Sequence, residues 1–204
     1  MSFEQAACLP VAYGTAWRML HHRAPVGAGE TVLILGASGG VGTAAVQIAK
    51  NAGARVWGVT SSEAKREKLF ELGCDHVIDS STTDFSREVW RLTGKKGVDL
   101  VINYTGGDTW VPSIRSIRKH GRLVTCGATA GFDPKTDLRY VWVRELHIIG
   151  SDGWTTADIE ALLDEVAASR IRPVIHATFP LSEARAAEKL LEDRAVFGKV
   201  LVLP

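Results

Sequence analysis

The sequence has few of the features that mark secreted, membrane or metal-binding proteins. Its 204 residues include three cysteines, Cys8, Cys74 and Cys126, which lie far apart and form no C-x-x-C pair. This number and spacing argue against a disulfide framework and against a zinc site made by this chain alone. No apolar run approaches the roughly 20 residues that cross a bilayer, and the N-terminus lacks the layout of a signal peptide. We therefore expect a cytoplasmic protein with no membrane partner.

An excess of charge of one sign is also missing. The chain has 24 Lys and Arg against 23 Asp and Glu, a formal net charge of +1. Proteins that bind nucleic acid through its phosphates usually have a clear excess of basic residues, so we expect no nucleic-acid partner. With 46% hydrophobic and 23% charged residues the composition is that of a globular protein, which favours small-molecule chemistry.

Short apolar runs alternate with segments of helical period along most of the chain. We predict six strands, at residues 31–35, 55–59, 75–78, 98–103, 121–126 and 145–150. Parallel strands need crossovers long enough to contain a helix, and the segments between these runs have that length. The pattern predicts an α/β fold with a doubly wound six-stranded parallel sheet, a Rossmann fold with strand order 3-2-1-4-5-6.

Two segments flank this core of residues 24–170. Residues 1–23 have a helical pattern that opens with Ser2 and Gln5 in capping-box spacing. Residues 171–204 contain a predicted helix at 182–193 and an apolar strand at 199–203. This last strand follows a long helical stretch and has no evident partner among the six. We predict that it pairs with another chain or is mobile.

A glycine-rich loop follows the first strand. The segment GASGGVG, residues 36–42, lies between a buried strand and an alanine-rich helix, where a pyrophosphate can meet free helix N-terminal amides. The alternative is a glycine-rich turn that binds nothing. A nucleotide-hydrolysing phosphate loop is disfavoured, because Gly42 is followed by Thr43 and Ala44 where that loop needs Lys and a hydroxyl residue.

The end of the second strand bears on the choice of cofactor. An NAD site usually presents Asp or Glu to the ribose hydroxyls here, whereas this chain has Thr60 and Ser61, with Lys65 one helical turn further on. Hydroxyl groups and a cation can bind a 2′-phosphate, which favours NADP over NAD. The alternative is a serine-rich helix cap followed by a solvated basic turn.

No acid–base or nucleophile constellation stands out. Tyr104, Cys126, His120 and His147 can titrate, but each of these residue types is more often packed or on the surface. The loops after the fourth and fifth strands, 103–107 and 126–129, either flank a nicotinamide or are plain tight turns. The catalytic residues therefore stay unknown at this stage.

Taken together, several segments resemble the cofactor-binding portion of the medium-chain dehydrogenase/reductase superfamily, especially its quinone-oxidoreductase-like and alcohol-dehydrogenase-like members. These segments are GETVLILGASGGVGTAAVQIAKNAGARV, ELGCDHVID, GVDLVINYTGGDT, GRLVTCGATAG and VFGKVLVLP. The resemblance implies phosphate contacts from Ser38, Gly39, Gly40 and Val41, and ribose or 2′-phosphate contacts from Thr60, Ser61 and Lys65. It implies a nicotinamide side lined by Tyr104, Thr105, Cys126, Gly127 and Ala128.

The resemblance also implies what lies outside this domain. Zinc-dependent relatives have a Cys ligand where Val11 stands here, so we expect no zinc within this chain. Family enzymes have an N-terminal GroES-like catalytic domain, which would contact residues 1–23 and 171–204 in a longer enzyme. This chain would then be a fragment of such an enzyme. By itself it would be inactive, because the catalytic domain would be missing.

The function implied is that of an NAD(P)-dependent oxidoreductase. It would transfer hydride between NADPH and a small-molecule substrate that is a carbonyl, quinone, activated alkene or alcohol. The alternatives are a non-catalytic nucleotide-binding module and a dimerisation module. A homodimer through the edge strand at residues 145–150 is expected in either case, as in many relatives.

Overall fold

A six-stranded parallel sheet forms the centre of the protein in the computed structural model, which describes residues 1–204. Its strands are β1 Thr31–Leu35, β2 Arg55–Thr60, β3 His76–Asp79, β4 Val98–Ile102, β5 Ile117–Thr125 and β6 His147–Gly150. The order across the sheet is β3-β2-β1-β4-β5-β6 and every pairing is parallel. The predicted doubly wound α/β fold is therefore confirmed.

Nine α-helices connect and flank these strands. They are α1 Phe3–Cys8, α2 Gly14–Arg18, α3 Gly40–Asn51, α4 Glu63–Leu72, α5 Phe85–Leu92, α6 Trp110–Ser116, α7 Leu138–Val143, α8 Thr156–Ala167 and α9 Ala184–Glu192. Two π-helical turns, Leu9–Tyr13 and Met19–Arg23, make the chain helical throughout residues 3–23, and Ser2 forms the predicted capping box with Gln5. None of the helices is long and apolar enough to span a membrane.

Both faces of the sheet are covered at its centre, which explains why β1 is apolar from Val32 to Leu35. All five of its residues are buried. Val32 and Ile34 belong to a core cluster of 28 buried residues on one face, whereas Leu33 and Leu35 belong to a cluster of 11 on the other. Because successive side chains of a strand point to opposite faces, a strand between two helical layers must be apolar at every position.

The last strand, β8 Lys199–Leu203, has a partner within the chain. It pairs in parallel with β7 Ile175–Pro180 in a separate two-stranded sheet. The prediction that residues 199–203 pair with another chain or are mobile is therefore wrong. The sequence pattern did not predict strand β7, because the strand has no continuous apolar run. Its half-buried residues alternate with exposed His176, Thr178 and Pro180.

Gly198 fixes the start of β8, and this position cannot accept a side chain without strain. Its φ is +90°, and an ideal Cβ would lie 2.3 Å from the Val174 carbonyl oxygen. Gly94 is the matched control, because its φ is +58° and a Cβ there would meet nothing within 4 Å. We expect Gly94→Ala to lower the free energy of unfolding by about 1 kcal/mol, the cost of left-handed backbone.

For Gly198→Ala we expect a loss of about 3 kcal/mol, because the steric overlap adds to the backbone cost. Urea unfolding of both variants measures the difference. Equal losses for the two variants would contradict the close approach of Val174 and Gly198.

Candidate cofactor site

The fold creates a crevice where the strand order reverses. β1 pairs with β2 on one side and with β4 on the other, so the loops after β1 and β4 leave the sheet side by side. Ligands of open α/β sheets bind outside the carboxyl ends of the strands at such a switch point. The structure therefore brings the glycine-rich loop and residues 103–107 together, as the sequence predicted.

The glycine-rich loop turns sharply and packs closely on the helix that follows. Gly36 has φ +62°, and its carbonyl oxygen accepts a hydrogen bond of 2.9 Å from the Gly39 N–H. A Cβ on Gly42 would lie 2.4 Å from that same carbonyl oxygen. Only glycine at position 42 permits this approach, because any side chain there would overlap the Gly36 carbonyl oxygen.

Helix α3 begins with N–H groups that have no acceptor. Gly39 is its N-cap and provides no side-chain hydrogen bond. The N–H groups of Gly40 and Val41 make no backbone hydrogen bond, as expected for the first turn of a helix. Together with the positive end of the helix dipole, these free donors form the elements of an anion site.

Lys199 is a residue of this site that the sequence analysis missed. A Cβ on Gly40 would lie 2.7 Å from Cδ of Lys199, so the lysine stem crosses the start of α3. The Gly198 N–H donates to the Ser38 carbonyl oxygen at 2.9 Å, which fastens the start of β8 to the loop. Lys199 forms no salt bridge. A cation without a carboxylate at a helix N-terminus is unfavourable unless an anion binds there.

Thr60 ends β2, and its backbone connects the loop after β2 with that after β3. The Thr60 side chain is buried, while its carbonyl oxygen accepts hydrogen bonds from the N–H and the hydroxyl of Ser80. Ser61 is exposed directly after it. The structure therefore leaves Ser61 open to a ligand, whereas it places the Thr60 side chain in the protein interior.

Lys65 lines a cavity of about 510 Å³ next to this turn, together with Ser61 and Arg194. Its Nζ donates to the Arg194 carbonyl oxygen at 2.5 Å. The acidic neighbour Glu63 forms an ion pair with Arg66 and leaves Lys65 without a carboxylate partner. Burial, and secondarily nearby Lys68, lowers the pKa of Lys65. The cavity is also lined by Lys68 and by Asp193, whose carboxylate pairs with Lys189, so cations outnumber carboxylates there.

Asn103 shapes the turn after β4. Its side chain is fully buried, and Oδ1 accepts hydrogen bonds from the Thr105 N–H at 2.9 Å and the Gly106 N–H at 3.0 Å. Its Nδ2 donates to Oγ of Ser113 at 2.8 Å. The amide thus holds the turn that presents Tyr104 and Thr105.

The loop after β5 is joined to the loop after β4. The Thr129 N–H donates to the Tyr104 carbonyl oxygen at 3.3 Å, and the Ala130 N–H donates to the Thr105 carbonyl oxygen at 2.7 Å. A Cβ on Gly106 would meet the Gly131 carbonyl oxygen at 2.2 Å, so this glycine is required by the contact between the loops. The loops after β4 and β5 are both tight turns, and both lie at the crevice.

Cys126 lines a cavity of about 480 Å³ at the carboxyl ends of β5 and β6, with Gly127 and Ser151. Burial raises the pKa of the Cys126 thiol to about 11, so the group is neutral at pH 7. Oγ of Ser151 is buried without a hydrogen-bond partner. A buried unpaired hydroxyl is costly, so this cavity offers a polar group to a ligand. Ala128 is partly buried beside Gly106.

Two of the histidine candidates lie away from the crevice. His120 is in the middle of β5 and has φ +59°, and its Nδ1 lies 2.9 Å from a carboxylate oxygen of Glu145. His147 is the first residue of β6. Neither stands at the carboxyl end of its strand, where the loops converge.

Val11, at the position of a zinc ligand in relatives, is largely exposed, with 68% of its surface accessible. Cys8 is buried, and its thiol donates to the Glu4 carbonyl oxygen at 3.3 Å. Cys8 therefore does not substitute for a ligand at Val11. The absence of zinc from this chain stays a prediction.

A larger groove, of about 810 Å³, lies between helices, where α5 contributes Trp90 and α7 contributes Tyr140. Of its five cations, Arg87 and Arg91 pair with carboxylates, whereas Lys95, Arg115 and Arg144 form no salt bridge. None of its lining residues belongs to the loops at the carboxyl ends of β1, β4 and β5, where ligands of open α/β sheets bind.

Comparison with known proteins agrees with this geometry. The sequence model described as zinc-binding dehydrogenase matches residues 40–168, more than half of the chain. The chain belongs to the medium-chain dehydrogenase/reductase superfamily. The resemblance stated from the sequence is therefore confirmed, and the homologues are oxidoreductases.

Individual members show the extent of the similarity. Acryloyl-coenzyme A reductase from Metallosphaera sedula is 38% identical over 98% of this chain and 58% of its own length. A structure titled NAD-dependent alcohol dehydrogenase aligns with TM-score 0.94 and 36% identity over all of this chain and 60% of its own. A 2-octenoyl-CoA carboxylase reductase in complex with NADP and 2-octenoyl-CoA aligns with TM-score 0.92 and 33% identity, over all of this chain and 50% of its own. The chain thus spans only about half to three fifths of these proteins.

The raised pKa of Cys126 predicts its reactivity. Alkylation requires the thiolate, so with a pKa of about 11 the rate should rise about tenfold per pH unit between pH 7 and 9.5. Mass spectrometry of iodoacetamide-treated protein measures this rate at Cys126. A plateau near pH 8.5, the behaviour of an ordinary thiol, would contradict the buried environment.

Proposed function

We propose that this chain is the NADP-binding domain of an oxidoreductase that transfers hydride between NADPH and a small-molecule substrate. The observation that carries the proposal is a helix N-terminus with free N–H groups beside Lys199, together with Lys65 in the cavity after β2; neither lysine has a carboxylate partner. Such a cluster of positive charge is stabilised when phosphate groups bind.

The pyrophosphate would bind at the start of α3. The residues implied for it are Ser38, Gly39, Gly40 and Val41, and the free N–H groups of Gly40 and Val41 suit this role. Lys199 adds a full positive charge beside Gly40. Each of these contacts would be common to NAD and NADP, so they contribute affinity but no discrimination.

The 2′-phosphate would bind in the cavity lined by Ser61, Lys65 and Arg194. The solved relatives include an NAD-dependent alcohol dehydrogenase and a reductase in complex with NADP. The preference of this chain for NAD or NADP therefore has to be argued from its own residues. Of the ribose-side residues implied by the resemblance, Ser61 and Lys65 are open to this cavity. Thr60 would contribute through its backbone, because its side chain is buried.

The nicotinamide would lie toward Thr105, Cys126, Gly127 and Ala128, at the joined loops after β4 and β5. When bound, its ring supplies or accepts the hydride. Burial raises the pKa of Tyr104 and of Cys126, so neither group exchanges a proton near neutral pH. The proton that accompanies reduction would come from the substrate, from water or from another part of the complete enzyme.

An activated alkene is the substrate class that several relatives favour, since they are named as reductases of acryloyl-CoA, crotonyl-CoA and 2-haloacrylate. Because the chain spans only part of these proteins, the substrate pocket would need a further domain. The exposed apolar residues Phe3, Val202 and Leu203, with the sheet of β7 and β8, would contact it.

A homodimer is the second part of the proposal. β6 pairs only with β5 and is an edge of the main sheet. Beside it, Ile148, Leu138 and Trp142 are exposed. A second copy could continue the sheet through β6 and cover these side chains.

Cofactor titrations test the nucleotide site. We expect Lys65→Ala to weaken NADPH binding about 10- to 100-fold, because it removes a charged hydrogen-bond donor to the 2′-phosphate, and to leave NADH binding unchanged. Lys199→Ala should weaken both cofactors equally, because it acts on the shared pyrophosphate. Energy transfer from tryptophan to the reduced nicotinamide reports binding.

Arg66→Ala is the matched control, because Arg66 lies on the same helix but pairs with Glu63. It should leave both affinities unchanged. Preference for NADH in the unsubstituted protein would overturn the choice of NADP, and binding of neither cofactor would favour a non-catalytic module.

Light scattering at several concentrations tests the dimer. Trp142→Glu should shift the equilibrium to the monomer, because it places a charge in the apolar contact. Leu191→Glu, an exposed apolar residue on α9, should leave the dimer intact. A monomer at all concentrations without substitution would contradict the dimer.

A further inference from the structure

The Tyr104 side chain reaches from the turn after β4 to the inner side of the glycine-rich loop. Its hydroxyl donates a hydrogen bond of 2.7 Å to the Gly36 carbonyl oxygen. Burial raises the pKa of Tyr104, so the phenol is protonated and able to donate. The hydroxyl is thus bonded to the first glycine of the loop.

The Gly36 carbonyl oxygen is the atom on which the loop closes. It also accepts the Gly39 N–H, and this second bond closes the turn. A carbonyl oxygen has two lone pairs, so it can accept from the phenol and from the Gly39 N–H together. The phenol therefore holds the oxygen that closes the turn.

The position of the phenol does not depend on a ligand. Buried Asn103 fixes the turn through the Thr105 and Gly106 N–H groups, and the Tyr104 carbonyl oxygen accepts the Thr129 N–H. A Cβ on Gly36 would lie 3.3 Å from the Tyr104 hydroxyl, so the ring rests directly against the loop. The support is therefore present before any cofactor binds.

We infer that Tyr104 is a positioning residue: its hydroxyl, bonded to the Gly36 carbonyl oxygen, holds the glycine-rich loop ready to bind a pyrophosphate. This inference rests on the proposed function. It assigns Tyr104 a role beneath the loop, in place of the nicotinamide contact that the resemblance implies. A loop held in its binding conformation loses less conformational freedom on binding, and affinity rises accordingly.

Tyr104→Phe tests the inference, because it removes the hydroxyl and keeps the ring. We expect NADPH to bind about tenfold more weakly, the effect of losing the one hydrogen bond that holds the loop. Adenosine 2′-monophosphate has the 2′-phosphate but no pyrophosphate, so its affinity should stay unchanged. A general loss of structure would instead weaken both ligands.

Tyr140→Phe is the matched control, because Tyr140 lies on α7 at the larger groove and its hydroxyl makes no hydrogen bond. It should bind both ligands like the unsubstituted protein. Isothermal titration calorimetry gives the affinities, and circular dichroism checks that each variant is folded. Unchanged NADPH affinity in Tyr104→Phe, or equal weakening of both ligands, overturns the inference.

Hydrogen exchange of the cofactor-free protein provides a measurement that needs no variant. The Gly39 amide should exchange slowly, like amides within β1, because its acceptor, the Gly36 carbonyl oxygen, is held by the Tyr104 hydroxyl. Fast exchange of Gly39 beside a protected β1 overturns the inference. If the unsubstituted protein binds neither NADPH nor NADH, the proposed function fails, and this exchange rate still decides whether Tyr104 holds the loop.

Discussion

The contact between Gly42 and the backbone of Gly36 and Ala37 is the constraint on which the rest of the site depends. It lets the start of α3 approach the end of β1 more closely than any side chain would allow. The helix then begins directly at the switch point of the sheet, with its free N–H groups facing the crevice. The turn after β4 and the start of β8 are both bonded to this loop, so each takes its place from it.

Charge at the crevice is less balanced than charge over the whole chain. Eleven of the 24 lysines and arginines have a carboxylate within salt-bridge distance, as Lys50 has Asp75 and Arg122 has Glu30. Lys65 and Lys199 are among those that have none. Under the proposed function, both would lie where phosphate groups bind.

Local sequence patterns predicted most of the fold. The run TVLIL, buried on both faces, and the spacing of the glycines are local signals, and they located β1 and the loop correctly. Strand β7 was missed because its half-exposed alternation is weak and it ends in Pro180. The β5 strand begins at Ile117, four residues before its apolar run, because a bulge shifts its register against β4.

The candidate site was predicted less completely, because several of its contacts join residues that are far apart in the sequence. Thr60, Ser61 and Lys65 follow a strand directly and could be recognised in order. Lys199 lies against Gly40 because the Gly198 N–H is bonded to the Ser38 carbonyl oxygen, and no local pattern contains this long-range contact. The burial of the Thr60 side chain and the hydrogen bond of Tyr104 to Gly36 likewise depend on packing between segments remote in sequence.

Strand β8 is bonded to the glycine-rich loop but is synthesised last, so the loop is complete only at the end of translation. Gly40 leaves the ribosome about 160 residues before Lys199. At the usual pace of translation that interval lasts on the order of 10 to 30 s. During this time the nascent chain lacks Lys199 and the strand that is bonded to the loop, so the proposed nucleotide site is complete only after the last strand has been made.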